Sequence, residues 1–412
     1  MQLPKPLPDY IHAVMRIFRD NGFQIYLVGG PVRDQLLGRP VYNWDCTTNA
    51  TPDHILKLFP DSFCNNNYGT VSIIIQHEGE KILIEVTPFR NESSYSDNRH
   101  PDSIEWAATL EEDVQRRDFT INALATDGKE IFDYVGGIQD LEKQLVRAVG
   151  DARKRFEEDA LRLMRAIRFA TQLGFFIEDS TRKAIEQHAH RITHISGERI
   201  RDEFFKILES DNAADGIIFL KQTGLLAFVL PEVEACFGVE QKSQADTTFF
   251  DVGTHLVESL KNCPSDDVIT RFATLLHDIG KAETAATDPA TGTITFYNHE
   301  IVGAQQAAGI ADRFRLSKKQ KEKLVLLVRN HMFSVGENQT DSAVRRFIRT
   351  VTPAYLKDML DLRTGDRIGS GAKPTSWRTE LFKKTPHRSA KKTIHCFRSQ
   401  NYRSRCYAYI RH

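Results

Sequence analysis

The chain has 412 residues, more than one typical domain, with 41% hydrophobic and 27% charged residues, the composition of an ordinary globular protein. Its 55 Lys/Arg balance 55 Asp/Glu, which excludes a strongly basic nucleic-acid binder but not a local basic groove. Six cysteines without a CxxC pair argue against a thiolate zinc site and a disulfide scaffold; with no secretory-type N-terminus and no run of about 18 apolar residues, a cytoplasmic chain without a membrane span is expected.

In chain order, Ile11–Asp20 has the apolar spacing of a helix. Gln24–Val28 reads as a short strand broken by Gly29-Gly30, and Val32–Leu37 as the start of a helix. Thr70–Gln76 and Lys81–Thr87 are β-branched, alternating runs joined by a turn at His77–Gly79. From residue 151 the pattern changes. Leu161, Met164, Ile167, Phe169 and Leu173 recur at helical intervals, so 151–240 is read as helical, and 250–370 likewise. Residues 381–412 hold nine Lys/Arg and no Asp/Glu without periodicity, and read as a disordered or non-native tail.

The run Leu27-Val28-Gly29-Gly30-Pro31-Val32-Arg33-Asp34 joins a strand to a helix through two glycines. Such a junction lets backbone approach a triphosphate and aims free N–H groups at it. Asn43-Trp44-Asp45 follows; on a strand, residues 43 and 45 face the same way and could clasp a hard cation. Glu85, on a strand that could lie beside the first, is the candidate third ligand. In Arg116-Arg117-Asp118-Phe119-Thr120-Ile121-Asn122 the guanidinium forks suit phosphate and ribose oxygens. Glu158-Asp159-Ala160-Leu161-Arg162 offers an acceptor and a donor fork three residues apart on one helical face, enough to read a nucleobase edge, and Arg165 and Arg168 extend that face toward RNA phosphate.

These motifs, in this order, resemble those of class II CCA-adding enzymes and bacterial poly(A) polymerases over residues 10–370. The resemblance implies an α+β fold: a DNA-polymerase-beta-like nucleotidyltransferase head with a small mixed sheet, followed by an all-helical neck and body and a helical HD domain. It implies extension of a tRNA 3′ end, held by its acceptor arm, from CTP and ATP with Mg²⁺ and no template. By it, Gly29, Gly30, Arg33, Arg116, Arg117, Asp118, Asn122 and Arg165 hold nucleotide, Glu158, Asp159 and Arg162 select the base, and Asn43, Asp45 and Glu85 serve catalysis. The stretch from Asn91 to Ser103, with Tyr95, Asp97, Asn98 and Arg99, is similar to the family loop that switches from CTP to ATP. The family pattern at 43–45 is Asp-x-Asp. Asn43 departs from it and brings a neutral carbonyl where the family has an anion, so impaired metal binding and turnover are expected.

A second constellation comprises His255, His277-Asp278-Ile279-Gly280-Lys281, His299, His331 and Asp366. Imidazole and carboxylate suit Mn, Ni, Fe or Zn, or Mg²⁺. The order resembles the HD phosphohydrolases. That resemblance implies His255, His277, Asp278 and Asp366 as ligands, with His299 and His331 holding a second metal or phosphate. In some relatives this domain removes a 2′,3′-cyclic phosphate. The expected domains are a head at 1–150, a neck and body at 151–240, an HD domain at 241–370 and a tail at 371–412; the sequence sets no oligomeric state. The alternatives are a poly(A) polymerase, or an HD phosphohydrolase with a silent head.

Overall fold

A computed structural model describes residues 3–64, 69–93, 103–241, 251–333 and 341–372. The readings made for Tyr95–Arg99 and for 381–412 lie outside these residues. The chain divides into two compact units, one of Met1–Phe204 with Gln222–Phe228, the other of Phe205–Lys221 with Val229–His412. No helix among the described residues is long and apolar enough to cross a membrane.

The first unit opens with the helix Asp9–Asp20, which buries Ile11, Val14, Met15 and Phe18. That i, i+3, i+4, i+7 spacing makes one apolar face, and each such side chain contributes roughly 1.5–3 kcal/mol on burial. Its strands are β1 (Ile25–Val28), β2 (Trp44–Thr48), β3 (Phe63–Cys64), β4 (Val71–His77), β5 (Glu80–Pro88), β6 (Arg90–Ser93), β7 (Ser103–Trp106), β8 (Ala125–Thr126) and β9 (Ile131–Phe132). Seven form one mixed sheet in the order β3-β4-β5-β2-β1-β8-β9, and β6 and β7 pair separately. The β4–β5 hairpin turns at Glu78 and Gly79, both at positive φ, the geometry a two-residue loop needs to follow the twist of its strands. Asp45 pairs with Glu85 in the parallel register of β2 and β5. Two carboxylates are thereby set side by side at the centre of the sheet.

Beyond the sheet the unit is mainly helical. The helix Leu161–Leu173 stops where Gly174 takes a left-handed conformation and Phe175 N bonds back to Ala170 O. The region expected to be all helix, 151–240, also contains a short strand, β11 (Phe176–Ile177), paired in parallel with β10 (Leu145–Val146) just before it and too brief to leave a periodic signal. Among its described residues the second unit carries one small hairpin, β12 (Ala286–Thr287) with β13 (Ile294–Thr295), and its other regular elements are helices.

In that second unit the helices Val252–Lys261 and Leu356–Gly369 pack closely at Gly365. A methyl there would sit 2.5 Å from Ser259 O. This close approach sets the position of the adjacent Asp366. Gly365→Ala is expected to cost about 1–3 kcal/mol through overpacking, read as a lowered denaturation midpoint. Gly309→Ala, where a methyl meets nothing within 4 Å, should leave the midpoint unchanged or raise it by up to about 1 kcal/mol.

Candidate functional site

Within the first unit a cavity of about 630 Å³ opens where β1, β2 and the helix Leu161–Leu173 converge. Eight arginines and three aspartates line it among the described residues. Such an excess of positive charge suits a polyanion the size of a nucleoside triphosphate.

Gly29, at φ 75°, turns the chain into the helix Gly30–Leu36. A Cβ at Gly29 would lie 3.3 Å from Asn122 O and 3.6 Å from the Arg117 guanidinium, so only a bare backbone keeps this wall open. Arg33 forks onto Asp34 at 2.9 and 3.0 Å and donates Nη1 to Asn122 Oδ1 at 2.5 Å.

The arginine pair after the helix Leu110–Gln115 is held from behind. Asp113 is fully buried; its Oδ1 accepts from Arg116 Nη2 at 2.6 Å and its Oδ2 from Arg117 Nη2 at 3.0 Å. Thr47 of β2 also donates to Asp113 Oδ2, at 3.2 Å. Burial alone would raise the Asp113 pKa, but the two guanidinium groups outweigh it and hold it low. Asp118 Oδ2 takes Arg165 Nε at 2.8 Å and Nη2 at 2.5 Å. Against its burial, Arg165, Arg162 and the Phe119 N–H hold Asp118 down to about 2.

Asp45 lines the cavity on β2. Burial, and then the neighbouring Glu85 carboxylate, push its pKa up to about 6, with Arg117 opposing. A part-buried carboxylate with a second one beside it forms the kind of donor set a divalent cation stabilises. Glu85 lies beside Asp45 but outside the cavity lining. Asn43 is exposed, precedes the first residue of β2 and does not line the cavity. The hydrogen-bonded ladder that fixes Asp45 therefore starts one residue too late to hold residue 43.

Two further expectations need correction. Asp159 is not within a helix. It ends the helix Ala152–Glu158 in extended backbone (φ −140°, ψ 107°) and caps the next one, Oδ1 accepting from Leu161 N at 2.9 Å. An aspartate competes well for backbone N–H groups, which is why a break forms here. Arg162 is placed instead by Glu158 Oε2 at 2.5 Å and by the carbonyls of Arg155 and Arg116. Glu158 itself does not line the cavity. Arg168, read as part of an outward basic face, is buried: it pairs with Glu203 at 2.8 Å, lies over the Phe169 ring at 4.1 Å, and its pKa is pulled down by burial to about 10. Arg90, Phe169 and Arg199 also line the cavity and were not singled out from the sequence. Arg90 and Arg199 sit far apart along the chain and carry no local pattern, and Phe169 was read only as one of the apolar positions of a helix.

The six residues of the second constellation do come together. His255, His277 and Asp366 form one group, and Asp278, His299 and His331 another, each with its donor atoms within 4.8 Å of one another. Three imidazoles are oriented by backbone carbonyls at 2.7 Å: His277 Nδ1 to Thr274 O, His299 Nδ1 to Phe296 O and His331 Nδ1 to Val328 O. Their Nε2 atoms are thereby turned into the cluster as candidate metal ligands, His277 Nε2 lying 3.1 Å from His255 Nε2. Asp278 lies between the groups. Its Oδ2 is 3.3 Å from His277 Nε2 and 2.6 Å from Lys281 Nζ, and its Oδ1 is 3.2 Å from both His299 and His331 Nε2. Those last contacts lack hydrogen-bond geometry, leaving Asp278 Oδ1 and both Nε2 atoms buried without a hydrogen-bond partner. Burial would lower the His277 pKa, yet Asp278 and Asp366 push it up to about 10. The carboxylates that favour a proton there favour a divalent cation equally. The donor set and the unmatched buried atoms fit a bound metal.

Residues 25–147 match the family model of the poly A polymerase head domain, 174–237 that of the probable RNA and SrmB-binding site of polymerase A, and 250–360 that of the HD domain. The CCA-adding enzyme of Geobacillus thermodenitrificans (strain NG80-2) is 44% identical over 227 residues, 55% of each chain. That of Lactobacillus helveticus (strain DPC 4571) is 47% identical over 206 residues, 49% of this chain and 51% of the relative. The chain thus spans about half the length of the curated relatives it matches. The crystal structure of the Bacillus stearothermophilus CCA-adding enzyme in complex with CTP superposes with a TM-score of 0.66 at 27% identity, over 93% of this chain and 83% of that one. The Thermotoga maritima CCA-adding enzyme complexed with tRNA_CCA shares the fold, at a TM-score of 0.55 and 19% identity over 93% of this chain and 85% of that one. With its head, RNA-binding and HD matches in this order, the chain is similar, region by region, to CCA-adding enzymes and poly(A) polymerases.

Proposed function

We propose that this chain is a tRNA nucleotidyltransferase that adds C and A to the tRNA 3′ end from CTP and ATP. The carrying observation is one cavity lined by eight arginines, by Asp45 of β2, which pairs with Glu85 of β5 just outside the lining, and by Asp159 and Arg162 as acceptor and donor. In the reaction the 3′-oxygen of the RNA bonds to the α-phosphorus, the bond to the bridging oxygen breaks, and pyrophosphate leaves. Arg33, Arg116 and Arg117 bind the phosphates, with Gly29 and Gly30 giving close backbone approach. Asp118 and Asn122 orient the nucleotide, Asp118 through its pairing with Arg165. Asp159 accepts from the amino group of cytosine or adenine and Arg162 donates to the ring nitrogen, a pattern uracil and guanine do not offer. Asp45 and Glu85 would hold Mg²⁺, with Asn43, exposed just ahead of β2, offering a neutral oxygen from outside the cavity lining; the bound cation would offset the negative charge of the departing pyrophosphate.

The relatives' names support CCA addition over poly(A) synthesis: the curated matches are CCA-adding enzymes, and a solved relative at 27% identity holds CTP. The acceptor, tRNA, rests on the same names and on the RNA-binding match at 174–237. The test is incorporation of labelled CTP and ATP into a tRNA lacking its CCA end, with the products sequenced. Asn43→Asp should exceed the unaltered chain by at least about tenfold, since it restores a charge beside the metal. Silence of both proteins would overturn the reading, and a long A tail would make the chain a poly(A) polymerase.

A second activity is supported by the cluster around Asp278. His255, His277, Asp278 and Asp366, with His299 and His331, would hold one or two divalent ions that generate hydroxide for phosphoester hydrolysis. After loading with Mn²⁺ or Ni²⁺ and gel filtration, elemental analysis should find metal retained by the unaltered chain and lost from Asp278→Ala. Equal retention by both would place the metal elsewhere.

A further inference from the structure

Arg199 stands on the helix Gly197–Leu208, forty residues after the side chain it meets. Its Nη2 lies 3.2 Å from Asp159 Oδ2, while Asp159 Oδ1 accepts from Leu161 N at 2.9 Å. Each carboxylate oxygen thus has one donor from the protein and one lone-pair direction left. The side chain of Arg199 is about a quarter exposed, it lines the cavity, and its Nη1 is buried without a hydrogen-bond partner.

We infer that Arg199 is a positioning residue for base selection. It holds Asp159 Oδ2 in place, so that the carboxylate keeps its remaining acceptor directions turned to the incoming base. An ionised carboxylate accepts from the exocyclic amino group of cytosine or adenine and repels the carbonyl that uracil or guanine presents at that edge. A carboxylate free to rotate would lose that alignment and with it the distinction. Arg199 prevents this, since its Nη2 and the Leu161 N–H hold one carboxylate oxygen each. Arg162 cannot do this work, because its Nη1 is committed to Glu158 and Arg155. Base choice therefore depends on a helix outside the one that carries Arg162.

The inference rests on the reading that Asp159 faces the base, and the test separates the two. Equilibrium binding of CTP and of UTP is measured by calorimetry for the unaltered chain, Arg199→Ala, Arg199→Lys and Asp159→Ala. Binding needs no turnover, so Asn43 does not interfere. The unaltered chain should favour CTP, and Arg199→Ala should lower the CTP/UTP ratio by about tenfold, the scale of one charge-assisted hydrogen bond. Arg199→Lys, which keeps the charge without the fork, should recover part of the ratio and serves also if the alanine variant does not fold. A merely structural role would weaken CTP and UTP alike and leave the ratio intact, which overturns the inference. If Asp159→Ala also leaves the ratio intact, the reading of Asp159 itself fails.

Discussion

Eight guanidinium groups around one cavity repel each other, and the first unit is arranged to contain that repulsion. Asp113, Asp118, Glu158 and Glu203 each hold one or two of them from behind. Asp113 matters most to the geometry. It is buried, joins Arg116 and Arg117, and takes a further bond from Thr47, two residues along β2 from Asp45. Arg116 and Arg117 are therefore tied through Asp113 to the strand that carries Asp45. Pinned guanidinium forks lose little freedom when a phosphate arrives, which is what preorganisation means for this pocket.

The second unit applies the same physics with opposite sign. Asp278 is a buried acceptor that gathers imidazoles and Lys281, and the backbone fixes three of the rings before any metal is bound. The close approach at Gly365 lets Asp366 face His255 and His277 at 3.4 and 3.6 Å. Small residues at a helix crossing thus decide where a carboxylate sits.

Local patterns were legible wherever a feature is set by neighbours in sequence. The Gly29-Gly30 junction, the β4–β5 hairpin and the capped helices follow from turn chemistry and periodicity. The six residues around Asp278 were legible because His-Asp-Ile-Gly-Lys is distinctive, although their convergence needs five separate segments. What escaped was set by tertiary contact. Asp159 has helical neighbours on both sides, yet the gain from capping Leu161 breaks the helix there. Arg168 looks outward by periodicity alone, but a partner on another helix, Glu203, draws it in. Arg199 and Arg90 join the cavity from distant segments, so no spacing announces them. Asn43 shares the alternation of Asp45 but falls before the ladder begins.

The central claim is that the positive charge of this cavity exists to hold a triphosphate. Calorimetric affinities of the unaltered chain for CTP, CMP and cytidine, at fixed ionic strength with Mg²⁺ present, test it most directly. The account predicts that CTP binds at least about a hundredfold more tightly than CMP, with most of that margin lost in Arg117→Ala and at high salt. Equal affinity for CTP and CMP, or a margin indifferent to Arg117, would contradict it.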